Sequence, residues 1–281
     1  MVRRASPAEN GYDMTAKELI QAGRLTDARG QLTEEIKAVP TNATARTLLF
    51  QVLAFCGEWD KAERHLDILA VQNIKAETGV QVYKNLVTAE RKRLEVYRGE
   101  RCPSFMTAVP PYLDLFFAYR DSLAKGNLAE AERYHALVGE QVPHVTGTVD
   151  GVSFSDFRDG DSYLSHFVEV FIHDNVLWVP IASLREFSVQ SPKTFLDLLW
   201  IPARIVTWEG LTSNCFLPVL YPDSASHENE LVRLGRMTDW LDMGGGFFRG
   251  FGQHVFLIDG EEKGLLEVRD VTFTTSSLLE K

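Results

Sequence analysis

A six-residue phrase recurs three times in the first half of this 281-residue chain: Gly-Arg-Leu-Thr-Asp-Ala from Gly23, Gly-Glu-Trp-Asp-Lys-Ala from Gly57 and Gly-Asn-Leu-Ala-Glu-Ala from Gly126. The first two copies lie 34 residues apart, and the third lies 69 beyond the second, about two further periods. Such a period marks stacked helical hairpins, because one hairpin cannot bury its apolar face and must pack on a neighbour. The glycine relieves backbone strain where the first helix of a hairpin ends. Two positions on, Leu25, Trp59 or Leu128 plugs the gap between the paired helices, and the small Ala28, Ala62 or Ala131 lets them approach closely. Pro40 and Pro143 end the second helix in the first and third copies; the second has Ile74 there, so that repeat is expected to run on or turn differently.

The spacing is that of tetratricopeptide repeats, built for holding a partner rather than for chemistry; an ordinary helical bundle with chance matches is the competing reading. Helical periodicity covers Leu25 to Val39, Thr44 to Phe55, Trp59 to Gln72, Tyr112 to Lys125 and Leu128 to Gln141. A long helix from about Lys75 to Arg98 carries Val82, Leu86, Ala89, Arg93 and Val96 between charged positions, where a regular array would place another hairpin. This insert should cap or distort the stack. Pro103, Pro110 and Pro111 mark a loop after it.

Beyond Pro143 the pattern becomes strand-like. Val168 to Ile172 and Val176 to Ile181 flank an Asp174-Asn175 turn, with Trp178 on one face. Ser191-Pro192 is expected to cap a short helix through Trp200. Ala203 to Trp208, Cys215 to Leu220, His254 to Ile258 and Leu265 to Phe273 read as strands, the last two joined around Asp259-Gly260. The expected class is therefore α+β. A helical tetratricopeptide-like domain spans 1–145, with 1–13 as a disordered leader, and a smaller acidic α+β domain with an antiparallel sheet spans 146–281.

Residues 1–145 carry 19 basic and 19 acidic side chains and residues 146–281 carry 10 and 20, so the net charge of -10 belongs to the second half. That balance disfavours nucleic acid as a partner, since such affinity comes largely from basic side chains; the acidity also serves solubility. No apolar run reaches the length of a membrane span, and the polar start lacks a signal-like apolar stretch, so a cytoplasmic protein without membrane insertion is expected. Cys56, Cys102 and Cys215 suggest neither disulfides nor zinc.

Possible chemical sites are few. Gly244, Gly245, Gly246, Gly250 and Gly252 precede a strand and lack a following Gly-Lys-Ser/Thr, so a mobile surface loop is expected rather than a phosphate cradle. Asp156, Asp159 and Asp161 surround Gly160, but a calcium loop starting at Asp156 would need an acid where Phe167 stands; turn and capping roles fit better. The seven histidines show no metal-binding spacing, no Gly-x-Ser-x-Gly is present, and no metal or cofactor is expected. Asp239, Trp240 and Asp242 near Arg236 could form an acid-base group, although an arginine among carboxylates is more often structural.

The order of segments resembles one family, the ImpE/SciE/TagJ accessory proteins of bacterial type VI secretion systems. Beside the repeat opening, its carriers are Tyr83-Lys-Asn-Leu-Val-Thr-Ala-Glu-Arg-Lys-Arg with Gly99 and Pro103, then Leu199-Trp200-Ile-Pro-Ala-Arg204 and Phe216-Leu-Pro-Val-Leu-Tyr221. Leu234-Gly-Arg236-Met-Thr238-Asp-Trp240 and Gly252-Gln253 complete the set. The resemblance implies a non-catalytic adaptor that binds the sheath subunit TssB and is linked to the disassembly ATPase ClpV. Repeat geometry would let a groove hold a partner helix, with Lys17, Thr47, Gln51, Phe116 and Arg120 at its inner positions. The alternative is a small-ligand sensor or enzyme in the second domain, with a pocket near Trp178, Trp200, Arg204, Arg236 and Trp240.

Overall fold

A computed structural model describes residues 14–72 and 77–274 of the chain. The leader expected over 1–13 and the Ile74 position lie outside the described residues. Helices α1 (Ala16–Gln21), α2 (Leu25–Ala38), α3 (Ala43–Phe55), α4 (Trp59–Gln72), α5 (Glu77–Tyr97), α6 (Leu113–Ala124) and α7 (Leu128–Gly139) build the first half. Thr15 and Asn42 cap α1 and α3 by accepting backbone N–H bonds of the first turn.

The repeated phrase closes three hairpins, α1/α2, α3/α4 and α6/α7, in the same way. Gly23, Gly57 and Gly126 have φ of 78°, 67° and 71°. The next N–H, of Arg24, Glu58 or Asn127, reaches back to the carbonyl of Leu19, Leu53 or Ser122 at 2.8 to 2.9 Å, the Schellman closure. Ala28, Ala62 and Ala131 are fully buried in the helix contacts. Helix α5 ends on a fourth closure outside the phrase: Gly99 has φ 75° and Glu100 N–H reaches Glu95 O at 2.9 Å. It is thus the first helix of a hairpin without a second, and the proline-containing loop follows instead.

The second half comprises β2 (Gly147–Val149), β3 (Val152–Phe154), β4 (Phe157–Asp159), β5 (Phe167–Ile172), β6 (Asn175–Pro180), β7 (Leu184–Val189), β8 (Trp200–Thr207) and β9 (Thr212–Pro218). After α8 (Glu230–Arg233) come β10 (Thr238–Gly244), β11 (Phe247–Gly252), β12 (Val255–Ile258), β13 (Glu261–Gly264) and β14 (Asp270–Phe273). A short β1 (Ser104–Phe105), from the loop after α5, joins the nine-stranded sheet of order β1-β6-β5-β9-β8-β7-β14-β2-β3. β1 pairs parallel to β6, so the sheet crosses the expected domain boundary; the other pairs in this sheet are antiparallel. A β10–β11 hairpin and a β13-β12-β4 sheet complete an α+β fold in which helices precede a mostly antiparallel sheet.

Three local expectations change. The helix expected from Ser191-Pro192 to Trp200 is a 3-10 turn over Phe195–Leu198 capped by Thr194, because Thr194 and Asp197 form a reciprocal box and Trp200 pairs with Pro218 as β8 opens. Asp259-Gly260 joins β12 to β13, and Leu265–Glu267 is a 3-10 turn, so the last strand begins at Asp270. The glycine run forms the turn and second strand of a hairpin: Gly244, Gly245 and Gly246 take positive φ at the β10–β11 turn. A Cβ at Gly250 would lie 2.3 Å from the Tyr221 ring, which explains that glycine by close approach.

Candidate functional site

The sheet half sits on the edge of the array where the hairpins turn. Gly23 meets Leu231 of α8, Gly57 meets Ala225, and Leu128 of the third hairpin meets Gly244. Two charged side chains complete this seam by capping helix ends. Glu230 accepts from the N–H groups of Leu25 at 2.6 Å and Thr26 at 2.9 Å, at the start of α2. Arg236 donates to Ile20 O at 2.9 Å and Gln21 O at 2.7 Å, at the end of α1. An acid at a helix N-terminus and a cation at a C-terminus both satisfy the helix dipole and its unpaired backbone groups.

Behind the seam runs a buried chain of charges. Arg93 of α5, 2% exposed, donates to Glu169 of β5 at 2.7 Å and lies 3.5 Å from Glu90. Trp200 donates its indole N–H to Glu90 at 2.9 Å, and Trp178 donates to Glu169 at 3.2 Å. Arg93 also donates to Nε2 of His254 at 3.0 Å, so Nδ1 carries the imidazole proton and donates to Asp159 at 2.9 Å. Tyr221 donates to the other Asp159 oxygen at 2.8 Å. Asp161 accepts from Tyr163 N–H at 2.6 Å and Gly250 N–H at 2.8 Å, so two of the three clustered aspartates stitch loops together from buried positions.

Burial sets the electrostatics. It pushes the Glu90 carboxyl upward despite Arg93 and the Trp200 bond. Burial opposes the Arg93 charge, but Glu169 and Glu90 outweigh it and hold the guanidinium charged. Asp161 is pushed up to about 7, by burial and then by Asp159. The Tyr221 hydroxyl is raised by burial and by Asp159 and Asp161. With their charged atoms engaged by one another, Arg93, Glu90 and Glu169 lock α5 to the sheet and present no free nucleophile or base.

Between α4, α5 and the loop after β9 opens a cleft of about 810 Å3, with Trp59, Arg64, Glu90, Arg98, Tyr221 and Ser226 among its walls. The Glu90–Arg93 pair lies at its floor, and the Trp59 ring faces Trp200 at 6.3 Å.

The side chains expected to line a partner groove divide. Lys17 and Thr47 are exposed and Gln51 is half-buried on the first helices of their hairpins. Phe116 and Arg120 are not groove residues, because the sheet covers that face of α6. The Phe116 ring packs on Phe167 at 5.0 Å, and the Arg120 guanidinium lies 4.9 Å from the Tyr163 ring and 5.2 Å from Trp178.

The pocket expected around Trp178, Trp200, Arg204, Arg236 and Trp240 does not form. Trp178 and Trp200 are buried in the charge chain and Trp240 packs on Tyr221 at 5.7 Å, whereas Arg204 is exposed on β8 and Arg236 caps α1. Nor is there an acid-base group beside Arg236: Asp239 bonds His227 at 3.1 Å and Asp242 accepts from Gly244 N–H. Sequence reading missed the charge chain, although two signals were present. Arg93 lies on the apolar stripe of α5 with Leu86, Ala89 and Val96, and Glu169 interrupts the apolar run of β5.

These features define a protein with a helical first half whose hairpin turns pack against a mostly antiparallel sheet half. The family model described as ImpE protein matches residues 151–272. A curated relative, the type VI secretion system accessory component TagJ of Pseudomonas aeruginosa strain PAO1, is 32% identical over 275 residues, covering 96% of this chain and 95% of its own. A crystal structure of a Vibrio parahaemolyticus protein superposes with a TM-score of 0.80 at 23% identity, covering 94% of this chain and 99% of that one, which shows a shared fold. The chain belongs to the ImpE/TagJ family of type VI secretion accessory components.

Proposed function

We propose that the protein is a non-catalytic adaptor of a type VI secretion system that works in the cytoplasm, binding a helical segment of the sheath subunit TssB and linking the sheath to ClpV. The observation that carries this reading is the likeness to TagJ along nearly the whole chain, helical array and sheet together. The fold is compatible with it. No described helix is long and apolar enough to cross a membrane. We assign the partner surface to the first helices of the opening hairpins, where the accessible Lys17, Thr47 and Gln51 support that reading.

The test is a pull-down of purified TssB by the full-length chain. Lys17→Glu combined with Gln51→Arg should weaken capture while leaving the thermal unfolding curve in place, since Lys17 is exposed and Gln51 only half-buried. Unchanged capture would move the site elsewhere. Phe116→Ala and Arg120→Glu are unsuited to this purpose, because both would open the internal core.

A further inference from the structure

We propose that a second cavity, of about 240 Å3 between the end of α7 and strand β4, is a binding site for a small monocarboxylate with an apolar body, separate from the adaptor surface. Its apolar walls include Val142, Phe157 and Ile181, and five polar side chains line it: Tyr112, His144, Asp156, Arg158 and His166. Among the described residues, neither the Tyr112 hydroxyl nor the His166 ring has a hydrogen-bond partner within the protein, although the His166 ring is held edge-on between Tyr112 and Phe116, 6.3 Å from each. Arg158 has only a loose contact with Asp156 at 3.8 Å, both side chains being about half exposed.

The chemistry of these groups selects the ligand. A guanidinium and a phenol can each donate to an oxygen, and a neutral imidazole has one N–H to donate. Burial, with His135 and Arg158 nearby, holds His166 down at about 4, so the ring is neutral at physiological pH. Asp156 balances Arg158 in the cavity. Once that half-exposed acid swings clear, the Arg158, Tyr112 and His166 donors with the single charge of Arg158 suit one carboxylate, while the apolar walls suit a short aliphatic or aromatic body. A multiply charged phosphate would need more cations than Arg158, and Asp156 at the mouth would oppose the extra charge. The arriving carboxylate replaces Asp156 as the partner of Arg158.

The experiment adds benzoate, propionate, benzamide, benzylamine or inorganic phosphate to the full-length chain at neutral pH, reading the melting temperature and the His166 ring resonances by NMR. Benzoate or propionate should raise the melting temperature with dose and move the His166 signals, and benzamide, benzylamine and phosphate should do neither. Arg158→Gln, at a side chain exposed enough to be replaced without harm to the core, should weaken carboxylate binding by about tenfold or more. The proposal is overturned if no carboxylate moves the His166 signals, if benzamide or phosphate binds as well as benzoate, or if Arg158→Gln leaves the affinity unchanged.

Discussion

Arg93 is the residue on which the join between the two halves turns. Replacing it with Ala leaves Glu169 and Glu90 buried without their counter-charge, which should cost about 3–5 kcal/mol in denaturant unfolding. A loss under 1 kcal/mol, measured by urea titration, would show that the pair is dispensable. His166 makes one contribution to the pH dependence of stability, and Asp161, raised to about 7 by burial and by Asp159, makes one of opposite sign over an overlapping range. The folded value of His166, about 4, lies below the ordinary 6.5, so the unfolded chain binds the proton more readily. That stability is intact above pH 6.5 and is lost as the pH falls towards 4, by up to about 3 kcal/mol. The stability difference between the parent and His166→Phe should therefore grow in the parent's favour as the pH rises from about 4 to 6.5, the Asp161 contribution cancelling between the two; parallel curves would contradict the burial argument.

At the scale of elements, the repeat phrase predicted where the hairpins turn because its glycines have a purely local job. Gly57 carries φ 67°, and a Cβ there would also approach Ala225 at 2.9 Å, so Gly57→Ala should destabilise by about 1–2 kcal/mol in thermal or urea unfolding. Gly99 does the same job at the end of α5, outside the phrase, where the sequence showed a loop beginning but not the closure. What stayed hidden was set by distant pairing. Glu230 and Arg236 cap helices more than 200 positions away, and nothing local to either reports that. Phe116 and Arg120 looked like groove residues because helical spacing locates a face without saying what covers it. Trp178 and Trp200 join the buried polar network through their indole bonds to Glu169 and Glu90, whereas Trp240 only packs on the Tyr221 ring. Replacing Arg236 with Ala should fray α1 and lower stability by about 1 kcal/mol, and hydrogen exchange at Ala22 and Gly23 should quicken; unchanged exchange would mean that the cap has no effect.

On the scale of the whole molecule, the helical half and the sheet are joined by several kinds of contact. Aromatic contacts such as Phe55–Phe195 at 4.5 Å, the shared β1–β6 pairing and the Arg93 chain all cross between them. One cooperative unfolding transition is therefore expected by calorimetry, with calorimetric and van't Hoff enthalpies in agreement; two resolved transitions would mean that the halves are independent. An array braced this way would meet its partner with a preformed surface and little ordering cost. The most direct test is titration calorimetry of the full-length chain with the helical segment of TssB, beside the Lys17→Glu, Gln51→Arg double variant. The adaptor account predicts saturable binding to the parent and at least about tenfold weaker binding to the variant at equal stability. Equal affinity for both proteins would contradict the assigned surface, and no binding to either would contradict the adaptor role itself.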